Sequence, residues 1–172
     1  EASRLIREYP KPTIAAVHGY GVGGGCGLAL TCDFRVGDQT TRMGITAARL
    51  GIIYGPDACR ALLEQVGLAN AKRILFSGQI FPAEACRDFG LIDRLAPDSA
   101  LDGAKALARE FLASAPLTVG GTKRILNALA RGEERELGGE IQALIDQAFN
   151  SEDYREGQRA FKEKRRPQFR GR

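Results

Sequence analysis

This sequence predicts an α/β fold, a partial core over residues 1–97 followed by a helical module over 98–172, on the strength of three observations. Short apolar runs of β type alternate with short helical patterns as far as Leu95. A glycine-dense stretch, GYGVGGGCG, connects a strand to a helix near the start. Beyond Ser99 the periodicity is helical throughout.

The elements follow in order. Ala2 to Tyr9 has the pattern of a helix already under way, with Leu5 and Ile6 on one side. TIAAVHG after Pro12 reads as a strand, and the glycines lead from it into a short buried helix at Leu28, Ala29 and Leu30. Asp33 to Asp38 and Arg42 to Ile45 suggest two more strands, and Thr46 to Leu50 a helical turn stopped by Gly51. Three helical segments then end at Gly67, Gly78 and Gly90, the last beginning at Pro82; proline inside a start and glycine past an end are ordinary helix punctuation. Leu91 to Leu95 reads as a lone strand. Three or four amphipathic helices fill the rest, with breaks near Pro116, Gly132 and Asn150.

The 172 residues, 44% hydrophobic and 27% charged, suit one core of ordinary size. No apolar run approaches the roughly 20 residues that span a bilayer, and EASRLIREYP has no signal-peptide pattern, so the expected location is cytoplasmic, with no membrane partner. The chain starts at Glu1 in mid-helix, which suggests an upstream portion. Cys26, Cys32, Cys59 and Cys86 include no CxxC pair and there is a single histidine, so no metal site is expected and the thiols read as reduced and buried. The net charge of +4 is concentrated in the tail, where Arg155 to Arg172 contains eight basic and two acidic residues. Such a cluster suits nucleic acid, an anionic surface or a phosphorylated group. With no accompanying aromatic-basic module, no nucleic acid partner is expected.

The glycine loop carries the most chemistry. Glycines allow backbone N–H groups to approach a ligand, and a loop opening into a helix aims those groups and the positive end of the dipole at one point. An anion or a developing oxyanion fits there. Gly19, Gly21 and Gly24 also satisfy GxGxxG, with Asp38 after the next strand, the pattern of a dinucleotide site. The spacing opposes it: between Gly25 and Asp33 there is room for about two helical turns, and a parallel crossover needs a dozen or more residues.

KPTIAAVHGYGVGGGCGLALTCDFRV resembles the segment of crotonase (enoyl-CoA hydratase/isomerase) superfamily enzymes that runs KP-x-IAAV-x-G-x-A-x-GGG-x-E-LAL-x-CD. The likeness continues through RLGI, LFSGQIFPAEACRDFGLID and SEDYREGQRAFKEKRRPQF, and so covers essentially the whole chain. The resemblance implies a ββα spiral core, here incomplete at the N-terminus, and a helical C-terminal trimerisation module. It implies an acyl-CoA thioester partner, coenzyme A entering with the substrate and no separate cofactor. The thioester carbonyl would be held in an oxyanion hole with Gly24 as one donor; Val22 and Gly23 carry over as substrate-binding positions. The second donor of the family comes from an upstream segment rich in small residues.

Two departures from the pattern bear on the reaction. The glutamates that position water and move a proton in the family's hydratases align with Gly27 and Ala47, neither of which is an acid or base. Tyr54 in RLGIIYGPD aligns instead with a tyrosine of the superfamily's methylmalonyl-CoA decarboxylases, whose chemistry has little need of a general base. Tyr54 also suits an ordinary core position, and Asp57 reads as favouring the dipole of the next helix. His18 reads as structural. Cys26, in the first helical turn, is open to two readings, a lowered pKa or inert packing.

In the tail, Phe161 and Lys164 carry over as residues that reach the adenine and phosphate end of coenzyme A, bound mainly to a neighbouring subunit. A homotrimer or hexamer would bury the stripe Leu137, Ile141, Leu144, Ile145 and Phe149, which an intramolecular core fits equally. The reading is an acyl-CoA-processing protein acting by enolate stabilisation and possessing neither hydratase glutamate, with decarboxylase-like chemistry. The alternative is a non-catalytic or truncated homologue that binds coenzyme A or forms trimers.

Overall fold

Strands β1 (Ile14–Val17) and β3 (Phe34–Gly37) lie side by side in parallel, with Ile14 opposite Phe34 and Val17 opposite Gly37. In the computed structural model, which describes residues 2–172, they belong to the first of two compact units: Thr13–Ala106 together with the helix α1 (Ala2–Arg7). Between them in sequence come β2 (Tyr20–Val22) and the seven-residue helix α2 (Gly24–Leu30). β2 joins another sheet, where it runs parallel to β4 (Arg42–Gly44), and β4 pairs antiparallel with β5 (Ile80–Pro82). The chain therefore winds as a spiral, each turn leaving one strand in each sheet. This is the expected ββα architecture, and its interposed β2 separates it from a dinucleotide-binding unit.

The strand starts are held by a motif within the sequence. Asp33 accepts hydrogen bonds from the Thr13 N–H (2.6 Å) and hydroxyl (2.9 Å), so the CD dipeptide before β3 clamps the start of β1. A turn of 3-10 helix at Ala47–Leu50 stops at Gly51 in the left-handed region. α3 (Pro56–Ser77) is bent at Gly67, whose φ of 70° and ψ of 169° are non-helical, so the expected break at that glycine is present inside one helical run. α4 (Ala83–Phe89) ends at Gly90.

The lone strand expected over Leu91 to Leu95 is shorter, β6 (Arg94–Leu95), pairing with β3. Leu91 and Ile92 instead send their N–H groups back to the Cys86 carbonyl, closing the end of α4, and bury their side chains completely. The core of this unit gathers Met43, Ile45, Leu62, Ile74, Leu91 and Ile92 around Cys26 and Cys86. Each large apolar side chain so buried contributes about 1.5–3 kcal/mol.

A charge sits at the centre of this core. Arg35, 1% exposed, donates to the Cys32 carbonyl, to Gln65 and to Asp93 (2.7 Å), linking the end of α2, α3 and the approach to β6. The guanidinium is the buried partner and Asp93 is exposed, so deleting Asp93 would leave a buried charge without its counter-ion, whereas deleting Arg35 would leave a solvated carboxylate.

The second unit comprises Leu107–Arg172 with Glu8–Pro12. α5 (Ala100–Leu112) runs into it, and α6 (Pro116–Arg131), α7 (Gly138–Phe149) and α8 (Glu152–Lys162) complete it. A two-pronged Arg124–Glu140 pair (2.6 and 2.9 Å) joins α6 to α7. The tail after α8 folds back on that helix: Asp153, 3% exposed, accepts from the N–H groups of Arg170 and Gly171, and Glu156 is held by Arg159, Arg165 and the Gln168 N–H.

Candidate active site

Gly23 turns the chain from β2 into α2. Its φ of 56° and ψ of −113° are open to glycine and strained for other residues, and its N–H donates to the Gly44 carbonyl at 2.9 Å, pinning the turn to β4. The next two amides are different. Those of Gly24 and Gly25 meet no acceptor among the described residues, and both glycines are exposed. The first helical bond is made by Gly27, to the Gly23 carbonyl at 2.9 Å. No side chain caps the helix. The Gly24 N–H is thus an open donor at the positive end of α2, as an oxyanion donor must be.

Of the neighbouring positions expected to line the site, Val22 is half-buried in β2 opposite Gly44. Gly23 has both backbone groups engaged within the protein, so what it contributes is the turn itself.

Tyr54 reaches this loop from the segment before α3. Its ring packs against the core cluster, and its hydroxyl donates to the Gly23 carbonyl at 3.5 Å. Ordinary O–H···O bonds are about 2.7–2.8 Å, so this one is long and weak, and the hydroxyl retains capacity for another partner. Burial, then the neighbouring Cys26 and Cys59 thiols, push the phenol above its usual value. Tyr54 therefore stays neutral at physiological pH and acts as a donor. The core position that the sequence allowed for Tyr54 is present in part, since the ring packs on the core while the hydroxyl stands beside the glycine loop.

No carboxylate belongs to the segments that build this loop: neither Ile14 to Cys32 nor Gln39 to Pro56 contains an Asp or Glu. Ala47 opens the 3-10 turn and packs against the core. Gly27 lies directly beneath the Tyr54 hydroxyl; a Cβ there would stand 3.0 Å from its oxygen. Asp57 occupies the first turn of α3, exposed, where it favours the dipole. His18 is exposed at the end of β1.

The thiols depart from expectation. Cys26 and Cys86 are buried, whereas Cys32 and Cys59 are only partly so. Cys26 is not activated by the helix start: burial, reinforced by Cys86, pushes its thiol up to about 12. Among the described residues no group of three or more His, Cys, Asp and Glu could hold a metal, and no helix is long and apolar enough to cross a membrane.

The other two sequence candidates belong to the second unit. Phe161, on α8, is 86% exposed. It borders an apolar cleft of about 600 Å³ with Phe149, Tyr154 and Phe169. Leu144 and Ile145 of the apolar stripe line the same cleft, so part of that stripe is half-buried within the unit. Lys164, exposed just after α8, has a φ of 53°, an unusual left-handed conformation for a lysine, and it closes the helix by donating to the Phe161 carbonyl.

The sequence pattern of the enoyl-CoA hydratase/isomerase family matches residues 1–172 of this chain. The chain belongs to that family. A relative from Thermus thermophilus, bearing the name of an enoyl-CoA hydratase, is 42% identical over 166 residues, which are 95% of this chain and 65% of that protein. The methylglutaconyl-CoA hydratase of Rattus norvegicus is 36% identical over 174 residues, covering 96% of this chain and 54% of that enzyme. The crystal structure of an enoyl-CoA hydratase/isomerase family protein from Hyphomonas neptunium superposes with a TM-score of 0.90 at 40% identity, covering 99% of this chain and 65% of that one. The chain thus spans about two thirds or less of these relatives' length. Membership confirms the crotonase-type fold expected from the sequence.

Proposed function

We propose that this family member acts on an acyl-CoA thioester by stabilising the enolate of its acyl group at the Gly24 amide, with decarboxylase-like chemistry in place of hydration. The observation that carries the reading is the open N–H of Gly24, beside a neutral phenol and with no acid or base at residues 27 and 47. Family membership supports the thioester as substrate.

In a thioester bearing a carboxylate on the α-carbon, cleavage of the carbon–carboxylate bond releases carbon dioxide. The electron pair left behind passes onto the thioester carbonyl oxygen as an enolate. The Gly24 N–H stabilises that charge more than it stabilises the ground-state carbonyl, which is what accelerates a step. A proton then returns to the α-carbon from solvent or an acid. No general base is required to begin, so glycine at 27 and alanine at 47 leave this sequence of steps intact. Tyr54, neutral and a donor, meets a substrate carboxylate without repelling it, as an ionised glutamate would. Phe161 and Lys164 are proposed to meet the coenzyme A moiety of a neighbouring subunit in a trimer or hexamer.

The test uses the full-length protein with a series of acyl-CoA esters, binding followed by calorimetry and products by carbon dioxide release. Binding of esters carrying an α-carboxylate, with their decarboxylation, is expected, and crotonyl-CoA is not hydrated. Robust hydration of crotonyl-CoA overturns the reading, because another group would then be supplying the acid and base.

A further inference from the structure

We infer that Gly27 is the positioning residue for Tyr54: the missing side chain at residue 27 is the space in which the Tyr54 hydroxyl stands. The functional consequence rests on the proposed role of Tyr54 at the acyl site; the geometric claim does not.

Glycine within a helix is disfavoured against alanine, because it loses more backbone freedom on folding. Gly27 has no conformational need to offset this. It is not among the glycines with positive φ, and it lies inside α2 with its amide already in the helical ladder. What singles it out is its neighbour. A Cβ built on Gly27 meets one atom within 4 Å, the Tyr54 hydroxyl oxygen at 3.0 Å, whereas Cβ atoms on Gly24 and Gly25 meet nothing. A contact that short obliges the phenol to retreat by a few tenths of an ångström. The hydroxyl is the flexible end of the pair, held only by its long bond to the Gly23 carbonyl, so it is the group that moves. Residues 27 and 54 therefore share one volume. A methyl at 27 displaces the phenol from its place over the glycine loop, and a longer side chain there would compete with it for the same space.

The inference is tested with Gly27→Ala, Tyr54→Phe and the double variant of the full-length protein, tyrosines replaced by 3-fluorotyrosine. The chain has four tyrosines, and the fluorine signal of Tyr54 is the one lost in Tyr54→Phe. Gly27→Ala is expected to shift the Tyr54 signal while those of Tyr9, Tyr20 and Tyr154 stay in place. Melting temperature gives a second readout: Gly27→Ala should raise it more in the Tyr54→Phe background, where no hydroxyl meets the new methyl, than beside the native Tyr54. For turnover of an α-carboxylated thioester, Gly27→Ala should lower kcat about tenfold with little change in KM, since small misplacement of a catalytic group carries large rate effects. In the Tyr54→Phe background it should leave the remaining rate nearly unchanged. An unmoved Tyr54 signal, or equal melting shifts in both backgrounds, overturns the inference. Absence of turnover in every variant, wild type included, overturns the proposed function instead and leaves the fluorine and melting results to decide the pairing.

Discussion

The chain contains two helix starts that solve the same problem in opposite ways. The first N–H groups of any helix have no partner within it. At α8 they are all taken up internally: Glu152 and Asp153 donate to the Arg172 carbonyl, and Tyr154 donates to the Ser151 hydroxyl. At α2 nothing takes them up; the residue before the helix is Gly23, which has no side chain to offer, and the amides of Gly24 and Gly25 stand open among the described residues. A start that closes on its own chain is a stabilising device. One left open and exposed gives its first N–H groups to water, which an acceptor of the right geometry can displace.

The largest expected effect tests the open start. Gly24→Pro removes one N–H at the first helical position, where a ring is otherwise tolerated. Loss of one oxyanion donor typically costs about 2.7–4 kcal/mol, or 10²–10³ in kcat. A fall of that size in thioester turnover, with the circular dichroism of the protein unchanged, is expected. A rate within about threefold of wild type would mean that the amide is open but idle.

How much of this contrast is legible in the sequence depends on distance along the chain. The glycine loop and the stops at Gly51, Gly67, Gly78, Gly90 and Gly132 are local signals, and the structure has a stop or a bend at each. Leu91 and Ile92 read as the start of a strand and not as helix closure, because a short apolar run has no periodicity to separate strand from wrapped backbone. Arg35 had a signal that was easy to pass over, a cation in the middle of the apolar strand FRVG; only the fold brings Gln65 and Asp93 to it. The approach of Tyr54 to Gly27 had no signal, since it joins an ordinary-looking tyrosine to a glycine whose neighbours already explain its presence.

The closed start offers the next effects. Asp153→Ala removes a buried carboxylate that accepts two backbone N–H groups, from Arg170 at 2.6 Å and Gly171 at 2.7 Å. Hydrogen bonds to a charged group are worth about 1.5–3 kcal/mol, so a loss of about 2–3 kcal/mol in urea unfolding is expected, with faster amide exchange at both donors. Acid should loosen the same clasp. Arg165, then Arg159 and the Gln168 N–H, hold the Glu156 carboxyl far below its ordinary range. Its folded value is depressed, so its stabilisation is complete above the unfolded value of about 4.5 and is lost as pH falls below it. Amide protection across residues 168–171, measured against the intrinsic exchange rate at each pH, should therefore fall on acidification below that point, and Glu156→Gln should already show low protection at neutral pH. Protection factors independent of pH in the wild type would place the tail's anchor elsewhere.

The smallest expected effect completes the comparison. Ser151 is buried, accepts from the Tyr154 N–H at 3.0 Å and donates to the Ala148 carbonyl at 2.7 Å. Ser151→Ala leaves one helical donor unmet and should cost about 1 kcal/mol, the usual worth of such a cap. It leaves the Arg172 carbonyl in place over Glu152 and Asp153, so two of the three closures survive. A loss well above that range would show the three to be one cooperative unit. The α2 start admits no such repair in reverse: a serine at residue 23 would have to adopt the φ of 56° that glycine holds there, so the helix cannot gain a side-chain cap without losing the turn that aims its free amides outward.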